Sequence, residues 1–237
     1  MENLREMSLA LAAASVLLGA ALAGWQARPG RADDSPALSH LLSLLYFVGM
    51  PYLAVVLGLL PPRLLGLTGA EYVALINWDR PLFIQLQQTF TLTILEWLFY
   101  LPATLAAGSL SLLLFGFVWW QLKGIAPPGQ RQTLLETLYL ALHWAFYRAI
   151  FWRISDDLYL AALWGAALVL LELALMSLAQ RQPALRGWTV EQALLLTLTT
   201  LVFFFSPNLW LLLPIHWLMV AALNSTNRPV AAVTAVS

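Results

Sequence analysis

Apolar residues along this chain are grouped into runs of about 20, long enough as helices to cross the roughly 30 Å hydrocarbon core of a bilayer. Short stretches between the runs hold nearly all of the charged residues. This arrangement predicts an all-α fold, a polytopic bundle of transmembrane helices, in a single integral-membrane domain that covers residues 1–237. The clearest runs cover residues 7–25, 38–60, 133–153, 158–179, 189–205 and 209–223.

Residues 82–122 form a longer apolar stretch whose single charged residue is Glu96 and which has Pro102 near its middle. Two arrangements fit this stretch. In one, a tight turn at 101–103 joins two spans, which gives about eight spans in all. In the other, residues 82–101 lie at the membrane interface and only the second half crosses, which gives seven. Lys and Arg in short loops prefer the cytoplasm, and eight spans put more of them on one side. We therefore expect a multi-pass protein of the cell (inner) membrane with both termini in the cytoplasm.

Local signals predict where several helices begin and end. Thr133 with Glu136 matches a capping box, as does Thr189 with Gln192, and each pair predicts a helix start. The Ser-Pro-Asn sequence at 206–208 predicts a break before the last helix. Small residues recur every four positions in the first run, where they let another helix approach closely: Ser15, Gly19 and Ala23.

The composition narrows the function classes. Hydrophobic residues make up 61% of the chain and charged residues 10%, too few to cover a water-facing surface, so we expect the lipid bilayer as a partner. The formal net charge is zero and the basic residues are scattered, which excludes a nucleic-acid partner. Because the chain has no cysteine, disulfides, thiolate metal sites and a cysteine nucleophile are excluded.

Candidate chemistry lies in the few ionisable residues inside the predicted spans. Burying such a group in hydrocarbon costs a few kcal/mol, so each needs a partner. His143 and His216 fall at similar predicted depths and could meet. Arg148 requires a counterion, and Glu172 is the nearest candidate in the sequence, so we predict a buried ion pair between Arg148 and Glu172.

Around these residues the chain resembles a known family. The segment His143-Trp144-Ala145-Phe146-Tyr147-Arg148, a later Phe-rich helix and the late His216 are similar to the CPBP, or CAAX-protease-type (Abi), intramembrane metalloproteases. Motifs of that family read Glu-Glu-x-x-x-Arg, Phe-x-x-x-His and His-x-x-x-Asn or Asp on successive spans. Arg148 matches the motif arginine and His216 the last histidine. The resemblance implies a CPBP-like helical core at 133–224, preceded by N-terminal spans at 1–132. The small and polar residues of 225–237 predict a disordered tail.

The sequence also departs from the family motifs. His143 and Trp144 stand where the two glutamates belong, Asn208 stands where the second motif has histidine, and Val220 stands where the third has Asn or Asp. No catalytic residue is therefore assigned, although His143, Trp144, Arg148, Asn208 and His216 occupy motif-equivalent positions. The departures imply a degenerate member, a scaffold or accessory subunit that packs against another integral-membrane protein and requires no cofactor.

Three alternatives stay open. An active metallopeptidase of the CPBP type would hold zinc with His143, His216 and Glu172. A haem- or chlorophyll-binding subunit would use His143 and His216 as axial ligands of a tetrapyrrole. A transporter would line a polar cavity with Glu96 and the glutamines near it. Cleavage of membrane-segment peptides, an absorption spectrum and uptake into proteoliposomes distinguish the three.

Overall fold

A computed structural model describes residues 2–26, 36–73, 79, 81–122, 132–180 and 185–226 of the chain. These residues are almost entirely helical and include no strand, so the all-α prediction is confirmed. The elements are α1 (Glu2–Gln26), α2 (Pro36–Leu44), a π-helical turn (Leu45–Gly49), α3 (Met50–Val56), a 3₁₀ turn (Pro62–Leu65), α4 (Ala70–Val73), α5 (Leu82–Leu122), α6 (Leu134–Ser155), α7 (Leu158–Gln180), α8 (Leu185–Phe205) and α9 (Leu209–Thr226).

Three helices in the described part are long and apolar enough to cross a membrane, by length and composition. They contain Asn3–Trp25, Leu82–Gln121 and Leu158–Leu178. Shorter apolar helical segments cover Leu41–Val56, Val190–Phe205 and Leu209–Ser225. A membrane location therefore fits the structure of the chain as well as its sequence.

Helix α5 is one continuous helix, so the turn predicted at 101–103 is wrong. Pro102 lies inside it and removes only its own N–H from the backbone ladder, a defect that membrane helices tolerate. Just after it, Thr104 donates from its hydroxyl to the carbonyl of Tyr100 at 2.8 Å and lies 2.6 Å from the hydroxyl of Ser206. The first bond is internal to α5, and the contact with Ser206 joins the helix to the segment that precedes α9.

Helix α6 is the centre of the bundle. Every residue from 143 to 150 is buried, and α1, the π-helical turn, the 3₁₀ turn, α7 and α9 all pack against the helix. The predicted capping box begins α6: Thr133 Oγ1 accepts from the backbone N–H of Glu136 at 3.1 Å, and Glu136 Oε2 accepts from that of Thr133 at 2.7 Å. A helix apolar on all sides has no solvent face, which is why polar residues inside α6 need partners from the neighbouring helices.

A tight turn makes α6 and α7 antiparallel neighbours. Asp156 ends α6 with a φ of 55°, and Asp157 caps α7 by accepting from the backbone N–H of Tyr159 at 2.8 Å and of Leu160 at 3.0 Å. Gly165 then lies against the backbone of Arg148, and Glu172 lies further along beside His143. This pairing decides which α6 residues Glu172 can reach.

Other predicted boundaries differ from the structure by a few residues. The helix in the second apolar run ends at Val56 rather than at residue 60. It ends there because Gly58 takes a φ of 68° and turns the chain. Helix α8 begins at Leu185, so Thr189 is inside it and the second capping box is wrong as a helix start. The break at 206–208 is confirmed. In the predicted tail, residues 227–237 lie outside the described part.

Candidate functional site

The segment 143–148 of α6 places polar side chains on two sides of the helix. His143 and Tyr147 are four residues apart and share one side, whereas Trp144 and Arg148 share another, about 100° around the axis. Two buried groups result. The carboxylate cluster comprises Ser15, Tyr46, His143, Tyr147 and Glu172. The arginine cluster comprises Trp144, Arg148, Phe203 and His216.

Glu172 of α7 is the centre of the carboxylate cluster and is 3% exposed. Its Oε1 accepts hydrogen bonds from the hydroxyls of Tyr147, at 2.8 Å, and of Tyr46. Its Oε2 lies 3.2 Å from Nε2 of His143, which fits the tautomer that carries its proton on Nε2. Three of the roughly four acceptor positions of this carboxylate are therefore used by side chains of the same chain.

The π-helical turn brings Tyr46 into the carboxylate cluster. Tyr46 is 1% exposed, and its ring lies 4.5 Å from the His143 ring between centroids. Phe47 follows it and meets the same imidazole edge-on at 5.4 Å. Single π-helical turns inside helices are frequent at functional sites. Here the turn supplies the hydroxyl that completes the ring of donors around Glu172.

Helix α1 closes the carboxylate cluster with its small residues. Ser15 is fully buried and its hydroxyl lies 3.0 Å from that of Tyr147. A Cβ added at Gly19 would lie 2.6 Å from the Tyr46 hydroxyl and 2.8 Å from Cε of Met176, so only glycine fits there. The face predicted from Ser15, Gly19 and Ala23 therefore packs inside the chain and is not free for a partner protein.

The arginine cluster lies on the other side of α6. The guanidinium carbon of Arg148 is 4.2 Å from the centroid of the Phe203 ring on α8. Trp144 stacks on His216 of α9 with centroids 5.2 Å apart and an interplanar angle of 15°. Among the described residues, neither the three guanidinium nitrogens of Arg148 nor the two ring nitrogens of His216 have a hydrogen-bond partner.

The predicted ion pair between Arg148 and Glu172 is wrong. Glu172 bonds to Tyr46, His143 and Tyr147, and no described acidic residue forms an ion pair with Arg148. The physical reason is the position of each residue around the axis of α6. Helix α7 presents Glu172 to the side of α6 that carries Tyr147, whereas Arg148, the next residue of α6, points about 100° away.

The predicted metal ligands are also divided between the two clusters. Glu172 meets His143, but His216 stacks on Trp144 in the arginine cluster. The described part of the chain contains no group of three or more His, Asp or Glu side chains placed to hold a metal ion. The arrangement of His143, His216 and Glu172 expected for zinc is therefore not formed. His143 and His216, the predicted tetrapyrrole ligands, lie in separate clusters.

Two further candidate residues, Asn208 and Glu96, belong to neither cluster. Asn208 accepts from the backbone N–H of Leu211 at 3.3 Å through its side-chain oxygen and so caps α9. Glu96 lies 3.8 Å from a guanidinium nitrogen of Arg63 and 3.4 Å from the Tyr72 hydroxyl, outside both clusters.

The sequence alone did not identify Ser15, Tyr46 and Tyr147 as residues of the carboxylate cluster around Glu172. Tyr147 stands four residues after His143, a spacing that puts both on one helix face, and this signal was available. Tyr46 and Ser15 come from distant spans, and only the packed structure brings them to Glu172.

No family model, curated protein or solved structure matches this chain. The likeness to the CPBP family therefore stays a prediction that rests on the motif residues alone.

Proposed function

We propose that this chain is a multi-pass membrane protein with a CPBP-like bundle that acts without catalysis, as a scaffold or accessory subunit of a complex in the cell (inner) membrane. The observation that supports the absence of catalysis is the position of Glu172. Its carboxylate accepts from Tyr46, Tyr147 and His143 and is separated from Arg148 and His216.

An intramembrane metallopeptidase needs a polarised water, a carboxylate that takes its proton and a group that stabilises the oxyanion, all close together. In this chain the carboxylate of Glu172 is in one cluster and the buried guanidinium of Arg148 is in the other. A carboxylate that already accepts three hydrogen bonds has little capacity left for a water. The same three bonds join the π-helical turn, α6 and α7, which suits a structural role.

A peptidase assay tests the absence of catalysis. We expect that the purified protein, incubated with prenylated and membrane-segment peptides, produces no chelator-sensitive cleavage. Glu172→Gln serves as the matched control, and its peptide products should equal those of the wild type. Chelator-sensitive cleavage that the substitution abolishes would overturn this part of the proposal.

The outward face of α5 supports a partner in the membrane. Large aromatic side chains are highly exposed along this helix, among them Phe83, Phe99 and Trp120, each at 78–79%. Aromatic residues are enriched at protein interfaces relative to the rest of the surface. Helix α7 also has exposed aromatic side chains, Tyr159 and Trp164, and leucines form the majority of the exposed large residues on both helices. We place the partner surface on α5 because its exposed apolar face is the longer of the two, and we assign the outer face of α7 to lipid.

Photo-crosslinking in native membranes tests the partner surface. A photo-crosslinking amino acid at Phe99 should give an adduct with one membrane protein of fixed mass, whereas the same substitution at Trp164 should give lipid adducts only. Lipid adducts alone at both positions would contradict an accessory subunit.

A further inference from the structure

The side chain of Arg148 carries a buried positive charge that the described chain does not neutralise. Arg148 is 2% exposed, and Nε, Nη1 and Nη2 all lack a hydrogen-bond partner among the described residues. Two acidic residues inside apolar helices pair elsewhere, Glu96 with Arg63 and Glu172 with His143. An arginine side chain remains protonated in proteins, so the charge is present wherever Arg148 is buried.

The aromatic contact of Arg148 is too weak to offset this charge. Taking a cation out of water carries a large desolvation penalty even after relaxation. The cation–π contact with Phe203 offsets only part of this penalty. The nearest buried carboxylate along α7, that of Glu172, accepts from three other side chains. A compensating negative charge must therefore come from outside the described chain.

Further buried polar side chains that lack a partner in the described part of the chain lie on the helices that pack around Arg148. Arg148 has five N–H groups, and His216 stacks on Trp144, one turn of α6 before Arg148, with both of its ring nitrogens unpartnered among the described residues. Thr200 lies one helical turn before Phe203 on α8, and its buried hydroxyl has no partner among the described residues. Helices α6, α8 and α9 thus each carry a buried polar side chain that has no partner among the described residues and that could donate to an anion.

We propose that the arginine cluster binds one small monovalent anion of the halide class between Arg148 and His216. One negative charge balances the charge of Arg148. The enclosure favours a small ion, because His216 is fully buried and Arg148 almost so. A lipid phosphate or a peptide carboxylate would carry a bulky remainder that this enclosed position does not admit. The proposal is independent of whether the chain has a membrane partner.

Thermal unfolding of the full-length protein in a neutral detergent tests the anion site. Chloride replaces gluconate at constant ionic strength, and the apparent Tm of the wild type should rise by several degrees and saturate, since a ligand of the folded state stabilises it. Arg148→Gln should remove this rise. Arg153→Gln, at the half-buried end of the same helix, should keep it. An equal rise in Arg148→Gln and the wild type, or no chloride effect in the wild type, would overturn the proposal.

A direct binding measurement covers the case in which Arg148→Gln does not fold. Equilibrium dialysis of the wild type with radioactive chloride should show stoichiometric, saturable binding that bromide displaces and gluconate does not. Arg148→Lys, which keeps the charge but not the five donors, should bind chloride more weakly. Wild-type protein that retains no chloride above the detergent blank would refute the site.

Discussion

A single step along α6 decides the partner of Glu172. Tyr147 and Arg148 are adjacent, yet Tyr147 donates to Glu172 at 2.8 Å while Arg148 stacks on Phe203. The sequence correctly predicted that His143, Arg148, Glu172 and His216 are buried, because each falls inside an apolar run. It could not predict which of them meet. Pairing depends on the rotation of each helix, and a helix that is apolar on all sides gives no periodic signal for its rotation.

Tyr147→Phe removes the hydroxyl that donates to Glu172 and contacts Ser15. We expect this change to lower the free energy of unfolding by about 1–3 kcal/mol, because a buried carboxylate loses one of its donors. Chemical unfolding in mixed micelles measures the loss. Tyr139→Phe, on the same helix but half-buried and outside the cluster, is the matched control. Equal stability of the two variants would show that the Tyr147 hydroxyl contributes nothing.

Gly19 and Gly165 are two of the glycines at which helices approach each other closely, and the sequence singled out only the first. Gly19 belongs to the small-residue face of α1 that the sequence did predict, and it contacts Tyr46. Gly165 of α7 lies against the backbone of Arg148, and nothing in its sequence context distinguishes it from Gly116 of α5. Whether a glycine permits a close helix approach depends on the neighbouring helix.

Gly165→Ala tests the close approach of α6 and α7. The new Cβ would lie 2.8 Å from Cγ and 2.9 Å from the Cα and backbone N of Arg148, and backbone atoms cannot move without separating the helices. We expect a loss of about 1–3 kcal/mol in the free energy of unfolding, as for other overpacked interiors.

Gly116→Ala is the control for this substitution, because a Cβ there meets nothing within 4 Å. Alanine is the better helix former by up to about 1 kcal/mol, so this variant should be neutral or more stable. If both alanine variants unfold alike, the helices are not held at the distance that the structure gives.

The continuous α5 changes the expected arrangement of the entire chain in the membrane. Its 41 residues extend over roughly 60 Å, and a helix without a turn crosses the bilayer once. The sequence favoured a turn at 101–103 because eight spans put more Lys and Arg on one side of the membrane. Pro102 does not break the helix, however, since membrane helices tolerate proline. With one crossing there, and each of the other six apolar runs counted as one span, we expect seven spans. An odd number of spans puts the two termini on opposite sides, so this expectation differs from the placement of both termini in the cytoplasm.

Cysteine labelling measures this arrangement without background, because the chain has no cysteine of its own. Asn3→Cys and Ser225→Cys place single thiols at exposed positions near the two ends of the described chain. An impermeant maleimide applied to intact cells should label one of the two variants only, and both should react after lysis. Protection of both thiols in intact cells would mean that both termini lie in the cytoplasm. That result would require an even number of spans and a break in α5.

A double-mutant cycle on Glu172 probes the separation of the two clusters. The free energy of unfolding is compared for Glu172→Gln, Tyr147→Phe, Arg148→Gln and the two double variants that contain Glu172→Gln. We expect a coupling energy of about 0.5–3 kcal/mol between Glu172 and Tyr147, and effects that add within about 0.5 kcal/mol for Glu172 and Arg148. Strong coupling between Glu172 and Arg148, with none between Glu172 and Tyr147, would contradict the two separate clusters and return the arginine to a carboxylate partner.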